Sequence, residues 1–105
     1  MKPSIFLLTC ANEIEADKIA EVLLQKKLVV CAKKTPVTSS FLWKEKVNKS
    51  NEILLIIESV EEFFNKVETE VRKIHSYELF VLESIPLGKT SKGVVNWMTE
   101  NLKKI

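Results

Sequence analysis

Glycine and proline are scarce in this 105-residue chain, with two and three copies, which excludes collagen-like, low-complexity and Gly/Ser-linker architectures. Two cysteines, Cys10 and Cys31, cannot build a disulfide scaffold, and neither belongs to a C-x-x-C pair. Both sit in apolar runs and read first as small buried hydrophobes in the thiol form. Arg72 is the only arginine among sixteen basic residues, so the planar bidentate grip that suits phosphate and carboxylate is nearly missing. The net charge is only +2, with no block of like charge, which argues against a dedicated nucleic-acid surface. No apolar run approaches the ~20 residues that span a bilayer. The apolar stretch after Lys2 runs into Asn12 and Glu13 without a signal-peptide cleavage pattern. A cytoplasmic protein with no membrane association is the expectation.

What is present is an ordinary globular balance, 46% hydrophobic and 29% charged residues, in a length that suits one domain over residues 1–105. Ser4 to Cys10 is a short apolar run, the pattern of a strand buried on both faces. Asn12 with Glu15 three residues on forms a capping box. Ala16, Ile19, Ala20, Leu23 and Leu24 then recur at helical spacing up to Lys27. Leu28 to Ala32 opens a second strand, which continues through Pro36 to Phe41, Leu42 and Trp43 as one long, bent element. Pro36 marks a bend or an exposed edge, since it cannot donate to a ladder. The polar stretch Lys44 to Asn51 suits a hairpin tip and its flanks, with the turn type left open.

Glu52 to Glu58 is a continuous apolar run bounded by charge, a central strand. Ser59 with Glu62 suggests a second capping box, and Val60, Phe63, Phe64, Val67, Val71 and Ile74 follow at helical spacing. Leu79 to Ile85 makes a fourth strand, stopped by Pro86. A last helix starts near Ser91, with Val94, Val95, Met98 and Leu102 inward. The order β-α-β-β-α-β plus a C-terminal helix is that of an α+β, ferredoxin-like domain. Two helices cover one face of such a sheet, and the central strands look apolar on both, so self-association is expected to cover the other.

Four segments resemble the CutA divalent-cation (copper) tolerance family in order and approximate spacing. They are Thr9-Cys10-Ala11-Asn12-Glu13, Lys27 to Ala32, Trp43-Lys44-Glu45-Lys46-Val47 and His75-Ser76-Tyr77-Glu78, with Pro86 and Trp97 in support. The resemblance covers nearly the whole chain and rests on the ordered combination. It implies a ferredoxin-like protomer in a homotrimer, similar in architecture to PII signalling proteins, with long hairpin strands pairing between subunits. It implies a role in tolerance of or response to divalent metal ions, copper in particular, and no enzymatic activity. The sequence departs from the family pattern at Ala32-Lys33-Lys34, at Pro36-Val37, at Phe41 and at Ser76, and Cys31 lies one residue closer to Trp43 than usual.

His75 is the only histidine. In the last turn of a helix it gains from the dipole and can cap carbonyls. With a cysteine and Glu78 it also offers borderline-soft ligands for Cu(II) or another divalent ion. One chain lacks the short ligand spacings of a zinc site, so Cys31, His75 and Glu78 are expected to meet near a subunit boundary, as the resemblance implies. Trp43 and Tyr77 are expected at the interface as half-buried aromatic anchors. Three other classes share the strand order. An acylphosphatase needs an amide-rich cradle and an arginine after the first strand, where Thr9-Cys10-Ala11-Asn12 stands. An RNA-recognition module needs exposed aromatics on its middle strands. A PII-like regulator would bind a nucleotide or other small molecule at subunit clefts, where Lys33, Lys34 and Lys89 could meet phosphate but no Gly-rich cradle stands.

Overall fold

The computed structural model describes Met1–Ile105. Its elements are β1 (Pro3–Cys10), α1 (Glu13–Gln25), β2 (Cys31–Trp43), β3 (Lys46–Val60), α2 (Phe64–Ile74), β4 (Leu82–Pro86) and α3 (Val94–Asn101), with a 3-10 turn, Glu61–Phe63, leading into α2. The four strands form one antiparallel sheet in the order β2-β3-β1-β4. That is the split arrangement of the ferredoxin-like fold, expected from the element order.

Strand alternation sorts the side chains. Ser4, Phe6, Leu8 and Cys10 of β1 are fully buried and share one core with Leu55 and Ile57 of β3. Over them lie Ala16, Ile19 and Leu23 of α1 and Val67 and Val71 of α2, while α3 adds Met98 and Leu102 follows at its C-cap. The alternate residues Ile5, Leu7 and Thr9, with Leu54 and Ile56, point to the opposite face and stay only partly buried. No helix of this chain covers that face.

β2 and β3 extend past the end of β1, which stops at Cys10 opposite Ile53. Residues 37–52 therefore project as a two-stranded arm, and the chain measures 45 × 27 × 21 Å. The arm turns at Lys44 and Glu45, both at positive φ (51° and 66°), between paired Trp43 and Lys46. This two-residue loop has the backbone of a type I′ turn, built without glycine. Leu42 and Val47 face each other across the arm at 74% and 72% exposure. Pro36 lies in β2, an edge strand, where its missing N–H leaves no inner ladder broken.

Several boundaries differ from the sequence expectation. Leu28 and Val29 are buried core residues ahead of β2. The reason is the end of α1, where Lys27 takes φ 57°, Leu28 N–H donates to Leu23 O at 3.1 Å and Lys27 N–H to Leu24 O at 3.0 Å. This is a Schellman motif with lysine at the position glycine favours, and Leu28 serves as its hydrophobic plug. The Ser59–Glu62 capping box does not form. Ser59 is the penultimate residue of β3 and donates to Leu28 O at 2.6 Å, while Glu62 accepts the Lys2 N–H at 3.0 Å. β4 starts at Leu82 rather than Leu79, and Phe80 plugs the core from the preceding loop. Val95 and Leu24, expected inward, are 43% and 41% exposed.

Replacing Lys27 by glycine removes the Cβ strain of the left-handed conformation. The Lys27→Gly variant is expected to be more stable by about 0.5–1 kcal/mol, read as a higher urea midpoint at unchanged m-value.

Candidate functional site

The chemistry-bearing side chains gather where β1 ends, α1 begins and α2 stops. Asn12 caps α1, its Oδ1 accepting the Glu15 N–H at 2.8 Å. The Glu15 carboxylate reaches back to the Ala11 N–H at 2.8 Å and across to the Ser76 N–H at 2.6 Å. The Asn12 half of the expected capping box thus forms, while Glu15 takes the N–H of Ala11, one residue before the cap, instead of that of Asn12, and reaches on to the far end of α2. Burial pushes the Glu15 carboxyl up, but the hydrogen bonds from Ala11 and Ser76 outweigh it and hold the group below the ordinary carboxylate range.

His75 ends α2 with a fully buried side chain. Its Nε2 lies 2.8 Å from the Thr9 carbonyl oxygen and its Nδ1 accepts the Tyr77 N–H at 3.0 Å. A carbonyl on one side and an N–H on the other select the neutral tautomer with the proton on Nε2. The ring stacks on Phe80, with centroids 5.1 Å apart. The histidine therefore ties the helix end to the neighbouring strand, a structural part different from capping the carbonyls of its own helix. Both ring nitrogens are in use.

Cys10, Glu15 and His75 place one ligand-type atom each within 4.8 Å of one another. As a metal site the group fits poorly. Burial, with Glu15 and Glu52 nearby, pushes the Cys10 thiol up to about 12, so it is protonated where a ligand must be a thiolate. An ion taking an atom of each side chain would also strip the carboxylate oxygen and ring nitrogen it used of their backbone partners. The cluster is a satisfied hydrogen-bond network.

The residues expected to hold a metal are spread out. Cys31 pairs with Glu58 at the start of β2 and shares the open face with Lys33, whose Nζ lies 3.5 Å from its Sγ and 2.6 Å from Glu58. His75 belongs to the helix layer on the other side of the sheet. Within one chain Cys31 and His75 therefore do not meet. Glu78 is exposed and lines a cleft of ≈ 580 Å³ between the arm and the segment after α2, with Phe41, Trp43, Glu52, Tyr77 and Leu79. Tyr77 donates its phenol to Glu52 Oε2 at 2.7 Å, and burial with that carboxylate pushes the phenol up to about 12. Trp43 is 50% exposed at the rim.

Two residues central to this region, Glu52 and Glu15, were not singled out by sequence as site residues. Glu15 was visible as a capping partner; Glu52 looked like charge bounding a strand. The geometry also bears on the other classes. The first amide after β1, Ala11 N–H, already serves a carboxylate, the wrong charge for an oxyanion cradle. The open face of the middle strands carries Ile5, Leu7, Leu54 and Ile56, which offer no base-stacking rings. Lys33 is paired with Glu58 and Lys34 with Glu13 and Asp17.

His75→Ala removes two hydrogen bonds and a stacked ring, and is expected to lower stability by about 2–4 kcal/mol, measured by urea unfolding. For Glu15, whose folded carboxyl is held below its ordinary value of 4.5, the stabilisation is present above that value and lost as pH falls through the lower folded one. Stability of the protein should fall as pH drops below the ordinary carboxyl value of 4.5, and Glu15→Gln should flatten that acid limb in chemical unfolding at stepped pH.

Residues 4–101 match the family model described as CutA1 divalent ion tolerance protein. The divalent-cation tolerance protein CutA of Archaeoglobus fulgidus is 32% identical over 96 residues, covering 91% of this chain and 94% of that protein. Its namesake from Thermus thermophilus is 26% identical over 98 residues, 92% and 95% of the two chains. A solved structure described as the periplasmic divalent cation tolerance protein CutA from A. fulgidus superposes with TM-score 0.93 at 31% identity, covering 96% of this chain and 99% of that one. CutA1 from Oryza sativa superposes with TM-score 0.95 at 21% identity, over 100% and 97%, and so shares the fold.

Proposed function

The chain belongs to the CutA1 divalent ion tolerance protein family, and on that premise we propose that it acts in divalent-cation tolerance as a homotrimeric binding or response module, without a catalytic step. The observation that carries this reading is the sheet's uncovered apolar face together with the arm. Ile5, Leu7, Leu54 and Ile56 line the face, and the arm exposes Leu42, Val47 and Trp43 on its two sides. A surface of this kind is stable when another copy covers it, and closed symmetry lets one arm clasp a neighbour while its own face receives another. Trp43 and Tyr77 are assigned to that contact region.

The ion, copper or another divalent metal, is bound between copies. Cys31 lies on the open face and Glu78 beside the arm, so an assembly can bring together a thiolate and a carboxylate that one chain keeps apart. His75 acts through position, since its Nδ1 anchors the backbone leading to Glu78. The metal is cargo or signal rather than part of the folded core. We place the protein in the cytoplasm, where thiols such as Cys10 and Cys31 stay reduced; no helix is long and apolar enough to cross a membrane. The PII-like reading is weaker, because Lys33 and Lys34 are engaged with carboxylates of the same chain.

Native mass spectrometry tests both parts. The expected result is a trimer that takes up about one Zn(II) or Cu(II) per subunit, with uptake lost in the Cys31→Ala and Glu78→Gln variants. A trimer that binds no metal, or binds it equally well in those variants, overturns the ligand assignment; a monomer overturns the assembly. In the same experiment Trp43→Ala and Leu42→Glu should shift the population toward smaller species.

A further inference from the structure

A second cleft, of ≈ 520 Å³, is lined by none of the residues assigned to the contact between copies. It opens between Lys26 at the end of α1, one flank of α2 and Lys103 in the segment after α3, over the buried Leu28. That last segment is fixed in place, since Leu102 is buried and the Lys103 N–H donates to Lys27 O at 2.8 Å. The charge around the cleft is unbalanced. Three lysines, Lys26, Lys66 and Lys103, share it with a single carboxylate, Glu70, an excess of two positive charges. Glu70 is already engaged twice, by Lys26 at 2.9 Å and by Lys73 at 3.1 Å. Lys66 and Lys103 take part in no ion pair; the chain's ion pairs join other groups.

The position of Lys66 adds an independent observation. It stands in the first turn of α2, the positive end of the helix dipole, where a cation is disfavoured and an anion is favoured. The acidic residues just ahead of α2 do not answer it, because Glu61 takes the Ser84 hydroxyl at 3.1 Å and Glu62 the Lys2 N–H at 3.0 Å. Its ammonium lies instead 5.3 Å from the centre of the Phe63 ring. Thr69 gives its hydroxyl proton to Asn65 O at 3.0 Å, which leaves the Asn65 amide as the neutral donor of the cleft. Lysine acts as a point charge without the planar fork of arginine, and phosphate, with oxygens on several sides, accepts that mode of binding. The volume falls in the range of small-molecule sites.

From this geometry we propose that the cleft between α1, α2 and the C-terminal segment binds the phosphate or diphosphate group of a small molecule, with Lys66 and Lys103 as its countercharges and the Asn65 amide as a neutral donor. Lys26, held by Glu70, adds positive charge at the wall. A bound anion also relieves the unfavourable placement of Lys66 against the helix dipole. This site goes beyond the divalent-cation role, takes a ligand of opposite charge, and lies apart from the subunit clefts that a PII-like reading would use.

The test is isothermal titration of the intact, metal-free protein with inorganic pyrophosphate, at an ionic strength held constant with chloride. Leaving out divalent metal keeps pyrophosphate–metal complexes out of the signal and makes the result independent of the divalent-cation reading. Saturable binding is expected, weakened about fivefold or more by Lys66→Gln and likewise by Lys103→Gln. Lys92→Gln removes the same charge outside the cleft and should leave the affinity unchanged. The three side chains are exposed, so the variants are expected to fold as the parent does. No saturable binding overturns the proposal. So does binding that Lys66→Gln or Lys103→Gln leaves unaltered, because the anion then sits elsewhere. Equal weakening by Lys92→Gln overturns it as well, by showing diffuse attraction to a basic surface.

Discussion

The structure depends on one imbalance: its central strands are apolar on both faces, and its helices cover only one of them. β1 alternates Phe6 and Leu8 toward the helices with Ile5 and Leu7 toward the open side. A one-residue slip would exchange the two sets and place Ile5 and Leu7 under α1 and α2. The register is held by the fit of the buried set, by Ser4 to the Ile85 carbonyl and by Ser59 to the Leu28 carbonyl. The other face retains the driving force for association, because apolar surface left in water costs about 25 cal/mol per Å². The arm answers the same imbalance, since it carries apolar side chains beyond the reach of its own core.

A second constraint lies at the opposite end of the buried strand. Glu15, His75 and Tyr77 form a chain of hydrogen bonds that ties the start of α1, the end of β1, the end of α2 and the foot of the arm together. No buried side-chain polar atom of this network lacks a partner, so the network confers a fixed geometry on the segment after α2. Residues of metal-binding type can thus be clustered for structural reasons. Cys10 illustrates this, since the same burial that brings it near His75 keeps it protonated.

Much of the fold was legible in the sequence because period and capping agreed. The runs Ser4 to Cys10 and Glu52 to Glu58, the stripe through Val67 and Val71 and the Asn12 cap all took the structures their patterns imply. Local signals failed where tertiary contacts competed with them. Leu28 looks like a strand residue, but a Schellman end needs an apolar plug at that place. Ser59 looks like a cap, but its hydroxyl found a buried carbonyl first. The candidate site was less legible, because pairing across the sheet decides which side a residue faces. Cys31 and Cys10 look equivalent in sequence and end on opposite faces. Glu52 looked only like charge bounding a strand, because the residue that meets it, Tyr77, comes from a distant segment after α2.

The pairing order of the sheet also bears on how the protein is made. β1 is synthesised first, yet it is the strand whose two partners come latest, since Ser4 pairs with Ser59 and with Pro86. The β2-β3 hairpin, by contrast, closes between adjacent segments and can form while the chain is still emerging. During synthesis the residues of β1 must therefore wait, with Ile5, Phe6, Leu7 and Leu8 unpaired, until β3 has been made as far as Val60. For that interval they are a strand with two free edges and two apolar faces, the state in which a nascent chain most needs protection from its neighbours.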